Sequence, residues 1–265
     1  MDKIKTIIYK EWAEVFKNRM VLFLTAFLPL FMAVLPLIML FIFNTVDEDM
    51  SSMNTGSEQL TQLFSEICSG LSETDCLQVY TLSLFMFMFM IIPVAIPVTI
   101  AAYSIVGEKT THSLEPLLAT PIKTSELLLG KALAAVIPAI LATWLAYFIF
   151  LIGTYFLVSD AVFRQILDPM WILAIFVVGP LLALLAVCTS LMISSRTTDP
   201  RVAEQLSALI VLPLILVVIG QSLGLILINS QVILFIGVIV AVLDVIMVIM
   251  TVQLFGRETI LTRWK

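Results

Sequence analysis

Histidine occurs once in this chain, at His112, and charged residues make up only 12% of it. A single histidine excludes two-histidine zinc motifs such as His-Glu-x-x-His, which need two imidazoles one helical turn apart. No Gly-x-Ser-x-Gly elbow is present to present a serine nucleophile. A phosphate-cradling loop is missing too. The nearest string, Leu129-Gly130-Lys131-Ala132, lacks the earlier glycine and the closing Ser or Thr of a P-loop. The chain is therefore not expected to be an enzyme or to hold a metal, and nucleotide chemistry would have to come from a partner. The scarcity of charge has a second consequence. Soluble domains are about a quarter charged, whereas 61% of these 265 residues are hydrophobic. That excess is more than a globule of this size can hide, so lipid must solvate much of it. The apolar runs are continuous, not alternating over roughly ten-residue segments, which excludes a β-barrel. The expected fold class is an all-α polytopic membrane protein, with no nucleic-acid partner.

About twenty apolar residues per crossing give six expected spans, at 20–44, 81–106, 132–158, 170–194, 206–228 and 232–255. The first twenty residues carry eight charges and no apolar core run, so no cleavable signal peptide is expected there. Positive charge is absent from the stretch 45–80, which holds seven acids instead: Asp47, Glu48, Asp49, Glu58, Glu66, Glu73 and Asp75. Thirteen of the fourteen Lys and Arg residues fall on the opposite side of a six-span layout, and only Arg164 shares the side of 45–80. The positive-inside rule then places both termini and the 107–131 loop in the cytoplasm and 45–80 outside.

Cysteine is also sparse, with three in the chain. Cys68 and Cys76 both fall on the expected outer side, where a disulfide is favoured in an oxidising compartment, with two free thiols as the alternative. Cys188 lies in span four and reads as a small packing residue. Within the outer segment, Glu58 to Cys68 has the spacing of a short amphipathic helix, with Leu60, Leu63, Phe64 and Ile67 on one face. The N-terminal residues 1–19 also follow helical spacing. Ile4, Ile7, Ile8, Trp12, Val15 and Phe16 form an apolar face, and Lys3, Lys5, Lys10, Glu14 and Lys17 occupy the rest. Such a helix either lies in the inner membrane interface or packs on a cytoplasmic protein. Near the middle of span six stands Asp244. A carboxyl there is costly and faces protein or water, either as an ion or proton ligand or as a hydrogen-bonded lock between helices.

The 107–131 loop reads GEKTTHSLEPLLATPIKTSELLLGK. Ser113 can cap a helix beginning at Leu114, with Pro116 tolerated in its first turn. Leu114, Leu117 and Leu118 then share one face, and Thr120-Pro121 ends the helix. Thr124 caps a second helix, with Glu126 near its N-terminus, that runs on into span three. The short helix either packs on its own spans or docks a cytoplasmic partner.

This segment resembles the signature loop of permease subunits in the type-2 exporter family of ATP-binding cassette (ABC) transporters. The matching strings are Gly107-Glu108-Lys109, Leu114-Glu115-Pro116-Leu117-Leu118-Ala119-Thr120-Pro121, and Glu126 to Lys131. Where the family carries a charged residue and a glycine before the Leu-Glu pair, this chain has His112-Ser113. The C-terminal LFGRETILTRWK and the basic N-terminal helix are similar to the family's as well. The resemblance implies a six-span permease domain over residues 1–265, paired with a second permease copy in a homo- or heterodimer in the cell's plasma (inner) membrane. It also implies cytoplasmic ABC ATPase subunits, carrying ATP and Mg, docked on a coupling helix. Gly107, Glu108, Lys109, Leu114, Glu115, Leu117 and Leu118 are then the coupling residues. In that family the route runs between the copies along spans two and five, which here offers Met86, Phe89, Met90, Tyr103 and Gln221. Such a mostly apolar lining suits a lipophilic or amphipathic cargo, drug- or lipid-like. A sodium-extruding permease and a non-transporting membrane assembly or regulatory protein are the rival expectations.

Overall fold

The structure is a computed structural model that describes residues 2–17, 19–45, 73–110, 124–197, 199–223, 225 and 229–254. The expected amphipathic helix at 58–68, Cys68, His112, the coupling-helix residues Leu114, Glu115, Leu117 and Leu118, and the C-terminal string from 255 lie outside the described residues. The described chain is helical, with no strand among its residues. Helix α1 is Asp2–Val15 and α2 is Arg19–Thr45. Next come α3, Glu73–Met88, and α4, Ile92–Thr110, joined by a 3-10 turn at Phe89–Ile91. Helix α5 is Thr124–Leu157. The short α6, Asp160–Ile166, and α7, Pro169–Leu173, lead through a π turn at Ala174–Val178 into α8, Gly179–Arg196. Then α9, Pro200–Ala208, passes a 3-10 turn at Leu209–Val211 into α10, Leu212–Ser222, and α11 is Ser230–Leu254.

Among the described residues, six stretches are long and apolar enough to cross a membrane: Val21–Thr45, Asp75–Ser104, Ser125–Leu157, Asp160–Arg196, Arg201–Ser222 and Ser230–Leu254. The number agrees with the sequence reading, but several bounds move for local reasons. Helix α3, which opens span two, starts at Glu73, ahead of the expected 81, because its polar first turns find partners. Ser159 Oγ donates to Asp75 Oδ1 at 2.9 Å, and Gln78 Nε2 donates to Asn44 Oδ1 at 2.9 Å. Span five ends at Ser222 instead of 228. There Leu223 N–H donates to Ile219 O at 3.0 Å and Leu225 N–H to Gly220 O at 2.8 Å, a closure that turns the last carbonyls back onto the chain. Its start moves forward to Pro200, capped by Asp199, whose carboxylate accepts from Arg201 N–H at 2.8 Å.

The irregular turns have one cause. Pro93, Pro213 and Pro180 each follow a break, and each lacks the N–H its helix needs. Before Pro93 the Phe89 carbonyl takes a bond from Ile92 N–H instead, and before Pro213 the Leu209 carbonyl takes one from Leu212 N–H. Ahead of Pro180 the turn widens, and Gly179 N–H reaches back to Ala174 O. Two of these breaks meet on span three. Phe89 lies tilted against Phe150 at 5.3 Å and sets its edge to Tyr147 at 6.5 Å, while Phe176 of the π turn lies 5.2 Å from Trp144 and 6.2 Å from Tyr147.

Span two is the axis of the fold. Of its most apolar stretch, 72% is buried inside the chain, against 22% for span one and 17% for each of spans five and six. Helix α8 lies along α4 and is pinned by side chains that reach backbone. Ser190 Oγ donates to Val98 O and Ser194 Oγ to Ala102 O, both at 3.1 Å. These serines continue a stripe with Ala183 and Val187, all fully buried, and small residues are what let two helices approach this closely in lipid.

Candidate functional site

Helix α5 has 34 residues, which at 1.5 Å each is about 51 Å, well beyond the about 30 Å of bilayer hydrocarbon. The helix is therefore longer than one crossing needs, and α1 lies against its first turns. The contact face of α1 is Ile7, Glu11 and Val15, all buried, spaced four residues apart on one stripe. Opposite Ile7 is Gly130. A Cβ built there would stand 2.8 Å from Ile7 Cγ2 and 3.0 Å from Ile7 Cβ. The two helices can lie this close only because that position has no side chain.

One turn along, three polar groups close a ring. Lys131 Nζ donates to Glu11 Oε1 at 2.7 Å and to Ser104 Oγ at 2.8 Å, and Ser104 Oγ donates to Glu11 Oε2 at 2.7 Å. A further contact runs from Lys131 Nζ to the Ser104 carbonyl at 3.4 Å. Both carboxylate oxygens and both roles of the hydroxyl are used, as burial demands. The Lys131 and Glu11 side chains are 2% and 3% exposed. Removing one member of such a pair strands the other charge, at a cost of about 3–5 kcal/mol. A second anchor follows from Pro138. Lacking an N–H, Pro138 leaves the Ala134 carbonyl without its helical donor, and Trp12 Nε1 supplies one at 2.9 Å.

These contacts sit at both roots of the loop. Ser104 precedes Gly107 by one turn on α4, and Lys131 ends the loop on α5. The sequence reading placed Lys131 as a cytoplasmic charge but missed Glu11 and Ser104. A signal was present, since Glu11 falls on the helical face of Ile4, Ile7, Ile8, Trp12 and Val15, where a carboxylate is out of place unless something meets it.

The other expected site residues are dispersed. Gly107, Glu108 and Lys109 form the last turns of α4. Met86, Phe89 and Met90 are buried, enclosed by the chain's own helices, and Tyr103 is half-buried. Gln221 is buried near the far end of α10 and donates through Nε2 to Ser83 Oγ at 3.3 Å. Asp244 shares a buried stripe of α11 with Ile233, Val240 and Thr251. Neither of its carboxyl oxygens meets a hydrogen-bond partner among the described residues. Cys76 is disulfide-bonded, and Cys188 on α8 is free and buried. Among the described residues no group of three or more His, Cys, Asp or Glu side chains is arranged to hold a metal ion.

A family model described as "ABC-2 family transporter protein" matches residues 5–250. No curated protein matches the chain.

Proposed function

The chain belongs to the ABC-2 transporter family, and from that premise we propose that it is the permease subunit of an ATP-driven exporter. Two copies, or this chain and a related one, form the path. Separate cytoplasmic ATPase subunits carry ATP and Mg and dock on the 107–131 loop through Leu114, Leu117 and Leu118, with Gly107, Glu108, Lys109 and Glu115 shaping the contact. The observation that carries this reading is the family match over 5–250, nearly the whole chain. Six apolar crossings and a loop whose two roots are held rigidly agree with it. The cargo we propose is lipophilic or amphipathic, because most large side chains along spans two and five are Met, Phe, Leu and Ile, with Tyr103 and Gln221 among the few polar ones. An ion-extruding variant of the reading would rest on Asp244, the buried acid of span six.

The test is co-expression of the tagged chain with ABC ATPase subunits that lack spans of their own. Stable co-purification and ATP-dependent export from vesicles are the expected result. Leu117→Asp and Leu118→Asp should release the ATPase while the permease still inserts, because a carboxylate forced into an apolar contact costs several kcal/mol. Binding at the level of the unaltered chain in both variants would refute docking on this face.

A further inference from the structure

The Glu11–Ser104–Lys131 ring joins three segments that lie far apart in sequence. Glu11 and Lys131 are separated by 120 residues, Glu11 and Ser104 by 93. Nothing in the helices themselves requires the ring. A Lys at the root of α5 and a Glu on α1 would each be cheaper in water, a quarter-turn away. Instead both are buried, with every carboxylate oxygen engaged. Ile7 seats on the bare backbone of Gly130 one residue before Lys131, and Trp12 holds the Ala134 carbonyl three residues after it. Three positions within one turn of the α5 root, 130, 131 and 134, are therefore tied to α1. Through Ser104, the end of α4 is tied to the same point.

We propose that Glu11, Ser104 and Lys131 are positioning residues that bind α1, the end of span two and the start of span three into one rigid unit beneath the loop. A push or pull on the loop is then delivered to spans two and three together, with no slack between them. The proposal deepens the reading of the loop as the ATPase-docking element and rests on it. The residues touch neither nucleotide nor cargo, so their effect is on the yield of transport per ATP hydrolysed, not on ATPase binding.

Glu11→Gln keeps the outline of the side chain and removes its charge. In the reconstituted permease–ATPase complex it should leave ATPase binding unchanged and lower cargo exported per ATP by about tenfold, the scale of a typical coupling between sites. In the permease alone, amide hydrogen exchange over 107–131 should rise. The rescue uses Ile7→Cys with Gly130→Cys, in a background without native cysteines. A Cβ at Gly130 would stand 3.0 Å from Ile7 Cβ, closer than the about 3.5–4.5 Å of a disulfide, so a small outward shift of α1 admits the bond, which would rejoin α1 to α5 without the ion pair. Oxidation should restore export per ATP and slow exchange in the Glu11→Gln protein, and reduction should reverse both. The proposal is overturned if Glu11→Gln exports as much per ATP as the unaltered chain, or if the cross-linked variant stays uncoupled. Should no ATPase bind even the unaltered chain, the docking reading fails. Unchanged exchange over 107–131 is instead the failure specific to the positioning role.

Discussion

Gly130 decides how near α1 can come to span three. Adding one methyl group there places it 2.8 Å from Ile7 Cγ2 and 3.0 Å from Ile7 Cβ. The second atom sits on the stem of the side chain and cannot rotate away. Gly130→Ala should therefore push α1 outward and lengthen the Glu11–Lys131 contact, destabilising by about 1–3 kcal/mol as overpacking does. A thermal scan in detergent would show the fall, and an unchanged midpoint would mean that α1 sits further from α5 than described. Asp244 presents the opposite case. It is 4% exposed, and neither carboxyl oxygen has a partner among the described residues. Leucine has nearly the same outline and no oxygens to orphan. Asp244→Leu should stabilise the protein by about 1–3 kcal/mol, the penalty of an unsatisfied buried polar group. A lowered midpoint would show that the assembled protein supplies a partner for that carboxyl.

At the scale of elements, proline sets where helices break and where their carbonyls become available. The Ala134 carbonyl is open to Trp12 because Pro138 cannot donate to it. The two residues should then be coupled. Trp12→Phe ought to cost about 1 kcal/mol in the native background, the usual worth of one such bond. In a Pro138→Ala background the helix satisfies its own carbonyl, and the same change should cost close to nothing. A double-mutant cycle measures this directly, and equal costs in the two backgrounds would mean the indole bond adds nothing. The same logic explains why bounds read from hydropathy shifted. A transfer scale sees Asp75 and Gln78 as reasons to end span two, yet Ser159 and Asn44 meet them and the helix continues to Glu73.

At the scale of the whole molecule, spans one, five and six leave most of their apolar surface uncovered by the chain itself. Phe235, Leu216 and Val245 are 65%, 66% and 61% exposed, a surface for lipid or for a second copy. The distribution of charge predicts the orientation of this bundle. Single-cysteine variants at Ser57 and at Thr110, made in a background without native cysteines, test it in intact cells. An impermeant thiol reagent should label position 57 and spare position 110, since basic residues near the spans resist translocation. Labelling of position 110 alone would invert the topology and remove the loop from the ATPase side.

The order of residues alone was enough to say that the chain is helical, that it carries six stretches apolar enough to cross a membrane, and which family it belongs to. Each follows from local properties: the transfer free energy of about twenty consecutive residues, and a loop motif carried in one contiguous string. Packing in three dimensions was needed to see that span two is the axis, that α1 docks on the root of span three, and that Glu11 finds Lys131 and Ser104. In lipid all apolar faces are nearly equivalent, so hydropathy does not say which helices become neighbours. That choice is made by close packing at small residues and by a few polar bonds. Here those are Gly130 beneath Ile7, Ser190 and Ser194 of α8 against the α4 backbone, and one buried ion pair. Their partners lie about a hundred residues away, and only folding brings them together.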